Sequence, residues 1–359
     1  MLLKNKPNIL KTTYLKEKII EKIYDLWYLK YKKNFIWRNK GKILVSSLDG
    51  LGDNVIKQKT FDLLCERFGN ENVYILCLNG WSNIFSNMGY NVIGYKIGKT
   101  ILEKLKNKIK LCKQLNELGI DKYIYLENSW IHEIDDKVHC VERIGFYKEK
   151  KDNKLNINIE FKDEYILNNQ QRFLKEYLEK NFSIKELKPN LRKILRDNKN
   201  KDIISIGIGA STRRKSLPIE KMAEILEFLL KKYPQKKLLL LGAGKKQKEY
   251  ANKLLKYIKN ENIIDCVDKF SLMETAQIIG NSLFFIGYDS GLSNLALSLN
   301  TKYLCLFWTE KKEWLHPFEN AKFILGNMKN YKEDKYFGTP ILNSITLNQI
   351  EIALHELNL

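Results

Sequence analysis

Histidine is scarce, with four in 359 residues, so a zinc site is not expected. Cysteine is sparse too. The six stand at 65, 77, 112, 140, 266 and 305, with no C-x-x-C spacing and no cysteine–histidine cluster. That pattern reads as reduced, mostly buried thiols of a cytosolic protein. Long apolar runs are missing as well. No stretch approaches the ~18 residues of a membrane span, and the first residues lack the apolar core of a signal peptide. An intracellular chain is expected.

Charge is plentiful. Sixty-two basic side chains face 42 acidic ones, a net charge of +20. Such a surplus points to anionic partners: nucleic acid, a membrane surface or phosphorylated substrates. A coding bias that inflates Lys and Asn would give the same number. Hydrophobic content of 44% supports real cores, and at ~100–200 residues per domain the length suits two domains.

Residues 1–40 stand apart, with ten Lys and one Arg against Glu17, Glu21 and Asp25, a net +8. Within "YLKEKIIEKIYDLWYLKYKK", apolar residues fall at Leu15, Ile19, Ile20, Ile23, Leu26, Trp27 and Tyr31. This is helical spacing with basic residues between. Such a helix could lie on an anionic bilayer or pack its stripe on the protein.

From 41 onward, strand and helix patterns alternate. "KILVSSL", "NVYILCL" and "KYIYLE" read as strands, with helices at "NVIKQKTFDLLCERFG" and near 101–118. Residues 160–200 begin helical and polar, and "KPNLRKILRDNKNKD" is a linker candidate. A second alternation follows: strands at "DIISIGIG", "KKLLLLGAG", "LFFIGYDSG" and "KYLCLFW" alternate with helices. Alternation of this kind means parallel sheets wrapped by helices. The expected division is a basic N-terminal segment over 1–40 and an α/β domain over 41–195. A second α/β domain covers 196–345, and a terminal helix 346–359.

Four loops follow strand ends, where open α/β sheets bind ligands. Asp49-Gly50-Leu51-Gly52-Asp53 brings two acids to a glycine turn. Asp53 could act as a general base, or Asp53 or Asn54 could cap the next helix. "GIGASTRRKSLP" sets Gly209, Ala210, Ser211 and Thr212 before Arg213, Arg214 and Lys215, with Pro218 suited to a first helical position. Backbone amides, hydroxyls and cations at a helix start make an anion site fit for a diphosphate; a solvated basic loop is the alternative. Gly242-Ala243-Gly244 is half of a dinucleotide fingerprint, with Gln247 where the third glycine would stand. Its glycines could let an adenine or ribose lie against the backbone. Asp289-Ser290-Gly291 opens a helix after "FFIGY". There Asp289 could accept hydrogen bonds from sugar hydroxyls or cap the helix.

The order of these blocks resembles glycosyltransferase family 9, the heptosyltransferase-like enzymes. The residues are Leu51-Gly52-Asp53, Arg143-Ile144-Gly145-Phe146, Gly209-Ala210-Ser211 through Lys215-Ser216-Leu217-Pro218, Gly242-Ala243-Gly244, and Asp289 through Ala296. The resemblance covers about 43 to 320. It implies a GT-B fold, two Rossmann-like domains facing a central cleft. It also implies inverting, metal-independent sugar transfer from a nucleotide diphosphate donor, typically ADP-heptose, to a lipopolysaccharide-type acceptor. By the same resemblance Asp53 is the base, Lys215 holds donor phosphate and Asp289 holds the donor sugar. Ser211, Thr212, Gly242, Gly244, Ser290 and Gly291 join the donor site, with Asp49, Gly52, Asn294 and Thr309 in support. No cofactor beyond the nucleotide sugar is implied. An anionic glycolipid acceptor fits a protein peripheral to the cytoplasmic face of the inner membrane. Two positions depart from the pattern: Asn294 stands at the family's histidine, and Trp308 precedes Thr309 where a glycine is usual.

Other classes are weaker. A nucleotide-sugar epimerase would call for Glu or His acid–base partners. A nucleic-acid binder would suit the charge, but no helix-turn-helix, zinc or RNA-binding signature is present. A noncatalytic, membrane-docked sugar-nucleotide binder is the third alternative.

Overall fold

The computed structural model describes residues 6–127, 137–148, 154–196, 201–210, 215–307, 315–326, 342 and 344–359, with side chains from 18 onward. The chain forms two compact units. One comprises Met1–Asp49 and Phe61–Phe161, the other Gly50–Thr60 and Lys162–Leu359.

The first unit opens with helix α1 (Lys6–Asn34). Ile20 and Tyr24 are buried, Tyr24, Trp27, Tyr31 and Phe35 stack in succession, and Lys137 pairs with Asp25 at 2.7 Å. One face of the helix is therefore internal packing. Strands β1 (Lys42–Ser47), β2 (Val73–Leu78), β3 (Asn91–Tyr95), β4 (Ile120–Tyr125), β5 (Cys140–Tyr147) and β6 (Ile157–Glu160) form an all-parallel sheet in the order β3-β2-β1-β4-β5-β6. Near-continuous apolar runs such as Ile43-Leu44-Val45 belong in such sheets, which are covered on both faces. Helices α2 (Leu51–Ile56) and α3 (Gln58–Phe68) follow β1. One continuous helix is expected there from the sequence. It breaks at Lys57, whose N–H turns back to the Asp53 and Val55 carbonyls. Helix α4 is Ser82–Met88 and α5 is Ile101–Leu118. A Thr100/Glu103 capping box starts α5, and left-handed Gly119 (φ 69) ends it. The core joins Leu44, Leu76, Ile93, Leu111, Leu115 and Tyr123.

The second unit repeats the plan. It contains α2, α6 (Ile166–Leu178), α7 (Ile219–Lys232), α8 (Lys245–Tyr257), α9 (Leu272–Asn281), α10 (Gly291–Ser298) and α11 (Leu347–Glu356). Strands β7 (Ile203–Gly207), β8 (Lys237–Leu241), β9 (Ile263–Asp265), β10 (Phe284–Tyr288), β11 (Tyr303–Phe307) and β12 (Ala321–Leu325) run parallel in the order β12-β11-β10-β7-β8-β9. Pro218 is the cap of α7, with Ile219 as its first helical residue. Ile204, Ile206, Leu226, Leu240, Tyr250 and Leu304 lie in one core. The stretch read as a linker candidate is, through 196, bonded into this unit. Leu191 N–H donates to the Ser298 carbonyl at 2.8 Å, and Gln277 Nε2 donates to the Ile194 carbonyl at 2.7 Å.

Candidate active site

Each sheet follows the doubly wound order, so each has a place where the winding reverses and adjacent strand ends open a ligand crevice. In the first unit that place lies between β1 and β4. Asp49, just beyond β1, is buried. Beyond β4 stands Glu127, whose Oε1 accepts from the Ser46 hydroxyl and from Leu48 N–H at 3.4 Å. Sequence reasoning reads Glu127 only as the end of a strand. Its neighbourhood depends on β1 and β4 being adjacent, which only the strand order shows.

The α2 turn settles the capping alternatives at its own position. Its N-cap is Gly50, in extended conformation. Asn54 Nδ2 donates to the Gly50 carbonyl at 2.9 Å, and Asn54 N–H to the same oxygen at 3.1 Å. Asp53 lies in the first helical turn and is half-buried. Asp53 is therefore not the N-cap of this helix. Within the second unit α2 packs on α10 through glycines. A Cβ on Gly52 would lie 2.5 Å from Asn294 Nδ2 and 3.4 Å from Gly291 Cα, and one on Gly291 would lie 3.1 Å from Leu51 Cβ.

The reversal in the second unit falls between β7 and β10. Lys215, on the loop after β7, forms an ion pair with Asp289, just beyond β10. Lys215 is 18% exposed and Asp289 30%, so a ligand can reach both. Buried hydroxyls brace the loop behind them. Leu217 N–H donates to Tyr288 Oη at 3.1 Å, and Tyr250 Oη donates to the Leu217 carbonyl at 3.0 Å. Desolvation raises the Tyr288 phenol far above its ordinary value, keeping it neutral. Ser290 begins α10 without a side-chain cap, which leaves the first-turn amides to water or ligand.

The glycine turn after β8 has an internal use. Cβ atoms on Gly209 and Gly242 would lie 2.1 and 2.3 Å from Gln247 Oε1. That oxygen accepts from Ala243 N–H at 2.8 Å, and Asp268 Oδ1 accepts from Gly244 N–H at 2.7 Å. Gln247 itself thus needs two of the glycines that the sequence offers to a nucleotide.

A further group, missed by sequence reasoning, gathers behind Asn294. His316 Nε2 lies 2.9 Å from Asn294 Oδ1, and Tyr165 Oη lies 2.6 Å from His316 Nδ1. Burial pushes the imidazole down to about 4, with Asp289 pulling the other way. Among the described residues, no group of three His, Cys, Asp or Glu is arranged to hold a metal ion.

A family model, glycosyltransferase family 9 (heptosyltransferase), matches residues 109–340. The chain belongs to this family. Lipopolysaccharide heptosyltransferase 1 of Campylobacter coli is 33% identical over 129 residues, 35% of this chain and 37% of that protein. The match thus spans little more than a third of the curated relative. Among solved structures, E. coli ADP-heptose lipopolysaccharide heptosyltransferase II is 19% identical with a TM-score of 0.67, covering 88% of this chain and 98% of its own. E. coli heptosyltransferase WaaC with ADP is 14% identical with a TM-score of 0.68, covering 88% and 99%. At these identities the likeness establishes the fold, which is of the GT-B class.

Of the family-9 positions, the structure gathers Gly52, Asp53, Lys215, Asp289, Ser290, Gly291 and Asn294 in the second unit. Gly242 and Gly244 lie on the turn after β8, and Asp49 ends the first part of the first unit. Ser211, Thr212, Arg213, Arg214, Trp308 and Thr309 lie outside the described residues.

Proposed function

We propose that this family-9 enzyme moves a heptose or related sugar from an ADP-linked donor to a lipopolysaccharide-type acceptor, with inversion and without a metal ion. The observation that carries the reading is the Lys215–Asp289 pair at the β7/β10 reversal, in the same unit as the Asp53 turn. Asp53 takes the proton of an acceptor hydroxyl as its oxygen bonds to the anomeric carbon. The bond from that carbon to the donor phosphate breaks, and its electron pair leaves with the nucleoside diphosphate. Lys215 and the open amides of α10 meet the developing phosphate charge. Asp289, released from Lys215, accepts from sugar hydroxyls.

A general base contributes about 10²–10⁴-fold. Asp53→Asn should therefore lose that much transfer activity while keeping its melting temperature and its affinity for ADP. Equal sugar transfer by mutant and wild type would remove Asp53 from the role. A panel of nucleotide sugars, scored by the rise in melting temperature, identifies the donor.

The acceptor class suits the outward face of α1. Ile19, Ile23, Leu26 and Leu29 are exposed, and Lys22, Lys30 and Lys33 interleave with them on the same arc of the helix. An apolar row edged by lysines fits an anionic bilayer surface, each well-placed lysine adding about 1 kcal/mol. We assign α1 to docking at the cytoplasmic leaflet. Among the described residues no helix is long and apolar enough to cross a membrane.

A further inference from the structure

The Asn294 side chain is held in a definite sense. Its Oδ1 lies 2.9 Å from His316 Nε2, and an amide oxygen can only accept, so Nε2 carries the proton. A neutral imidazole then has its lone pair on Nδ1, which accepts from the Tyr165 hydroxyl 2.6 Å away. The ring is neutral because burial holds its pKa near 4. Direction therefore runs from Tyr165 through His316 to Asn294. The amide N–H₂, not the carbonyl, is left facing the α2 turn, where a Cβ on Gly52 would lie 2.5 Å from Nδ2. All four residues lie in the second unit.

An asparagine amide presents two different chemistries through nearly one shape. Rotated by half a turn, Asn294 would offer a carbonyl where it now offers donors, and would repel a phosphate or hydroxyl oxygen. Something must fix the choice, and the Tyr165–His316 pair does so from the buried side. We propose that His316 is a positioning residue: with Tyr165 it locks Asn294 so that the amide N–H₂ is offered to an oxygen of the bound nucleotide sugar beside the Asp53 turn. The sequence places an asparagine where the family pattern has a histidine, and the structure supplies an imidazole hydrogen-bonded to it. This inference rests on the function proposed above.

The test combines kinetics with spectroscopy. Asn294→Ala should lower kcat/KM for the donor about 10-fold and His316→Phe about 3- to 10-fold, the range that a lost hydrogen bond covers. Acceptor KM should not move. His316→Phe/Asn294→Ala should be no worse than Asn294→Ala alone, because the lock has nothing left to hold. Asn294→Asp still accepts from Nε2–H but offers no N–H₂, and should fall as far as Asn294→Ala. Tyr165→Phe, one oxygen smaller, carries the same comparison should His316→Phe fail to fold. In ¹⁵N spectra of the unliganded protein His316 should be neutral with its proton on Nε2, and Tyr165→Phe should shift the Nδ1 resonance. Losses that multiply in the double variant, a fully active Asn294→Asp, or a proton on Nδ1 would each overturn the proposal. The spectra and ADP binding need no turnover. A wild type that transfers no sugar but shows the Nε2–H tautomer refutes the proposed function and leaves the lock intact.

Discussion

Gly52 shows how tightly one residue constrains the site. Gly52→Ala must push Asn294 or the α2 turn aside, since the new carbon would sit 2.5 Å from Nδ2. Overpacking of this kind costs about 1–3 kcal/mol, and a misplacement near 1 Å can cost about 10²-fold in rate. Activity should thus collapse while the melting temperature falls by only a few degrees; a fully active variant would mean that the turn has slack. His316 makes a second prediction, with a definite sign. Its folded pKa, about 4, lies below the ordinary 6.5. As pH falls from 6.5 toward 4 the unfolded chain binds a proton that the folded chain refuses, so stability is lost across that window, about 2 kcal/mol of it by pH 5. His316→Phe should flatten the fall in melting temperature between pH 7 and pH 5, and an unchanged slope would place the proton uptake elsewhere. That Asp53, Lys215 and Asp289 stand on loops after strands was legible in the sequence, because each follows a strand-like run within a few residues. Tyr165 and His316 were not. They meet across 151 positions, and no local periodicity records such a contact.

At the scale of elements, the buried strands announced themselves, and the helices carry caps that the structure shows. Continuous apolar runs gave β10 and β11, while Ser271 with Glu274 and Thr346 with Gln349 formed the capping boxes of α9 and α11. The break between α2 and α3 was hidden, because the helical pattern of the sequence runs through Lys57. Helix α1 bears out the packing reading on its tyrosine face, and its leucine–isoleucine face stays exposed. That outward face is testable. Leu26 is 67% exposed, so Leu26→Glu should keep the melting temperature. It should also reduce sedimentation with anionic vesicles severalfold, since an apolar anchor becomes a charge that the surface repels. Unchanged sedimentation would leave the row without a membrane role.

At the scale of the whole molecule, the +20 charge named a class of partner but not where it binds. The strand orders add one winding reversal in each sheet, the candidate place for a ligand in a fold of this kind. The same architecture has a consequence for anyone dividing the protein. The polypeptide passes from one unit to the other after Asp49, returns after Thr60, and crosses again after Phe161. A fragment cut at 162 would retain the Lys215–Asp289 pair but would arrive without the eleven-residue loan, Gly50 to Thr60, that carries the carboxylate. The glycine seam on α10 would lie bare. The enzyme's two halves can be told apart by their packing, yet scissors applied at any single bond cannot separate them with both kits of tools complete.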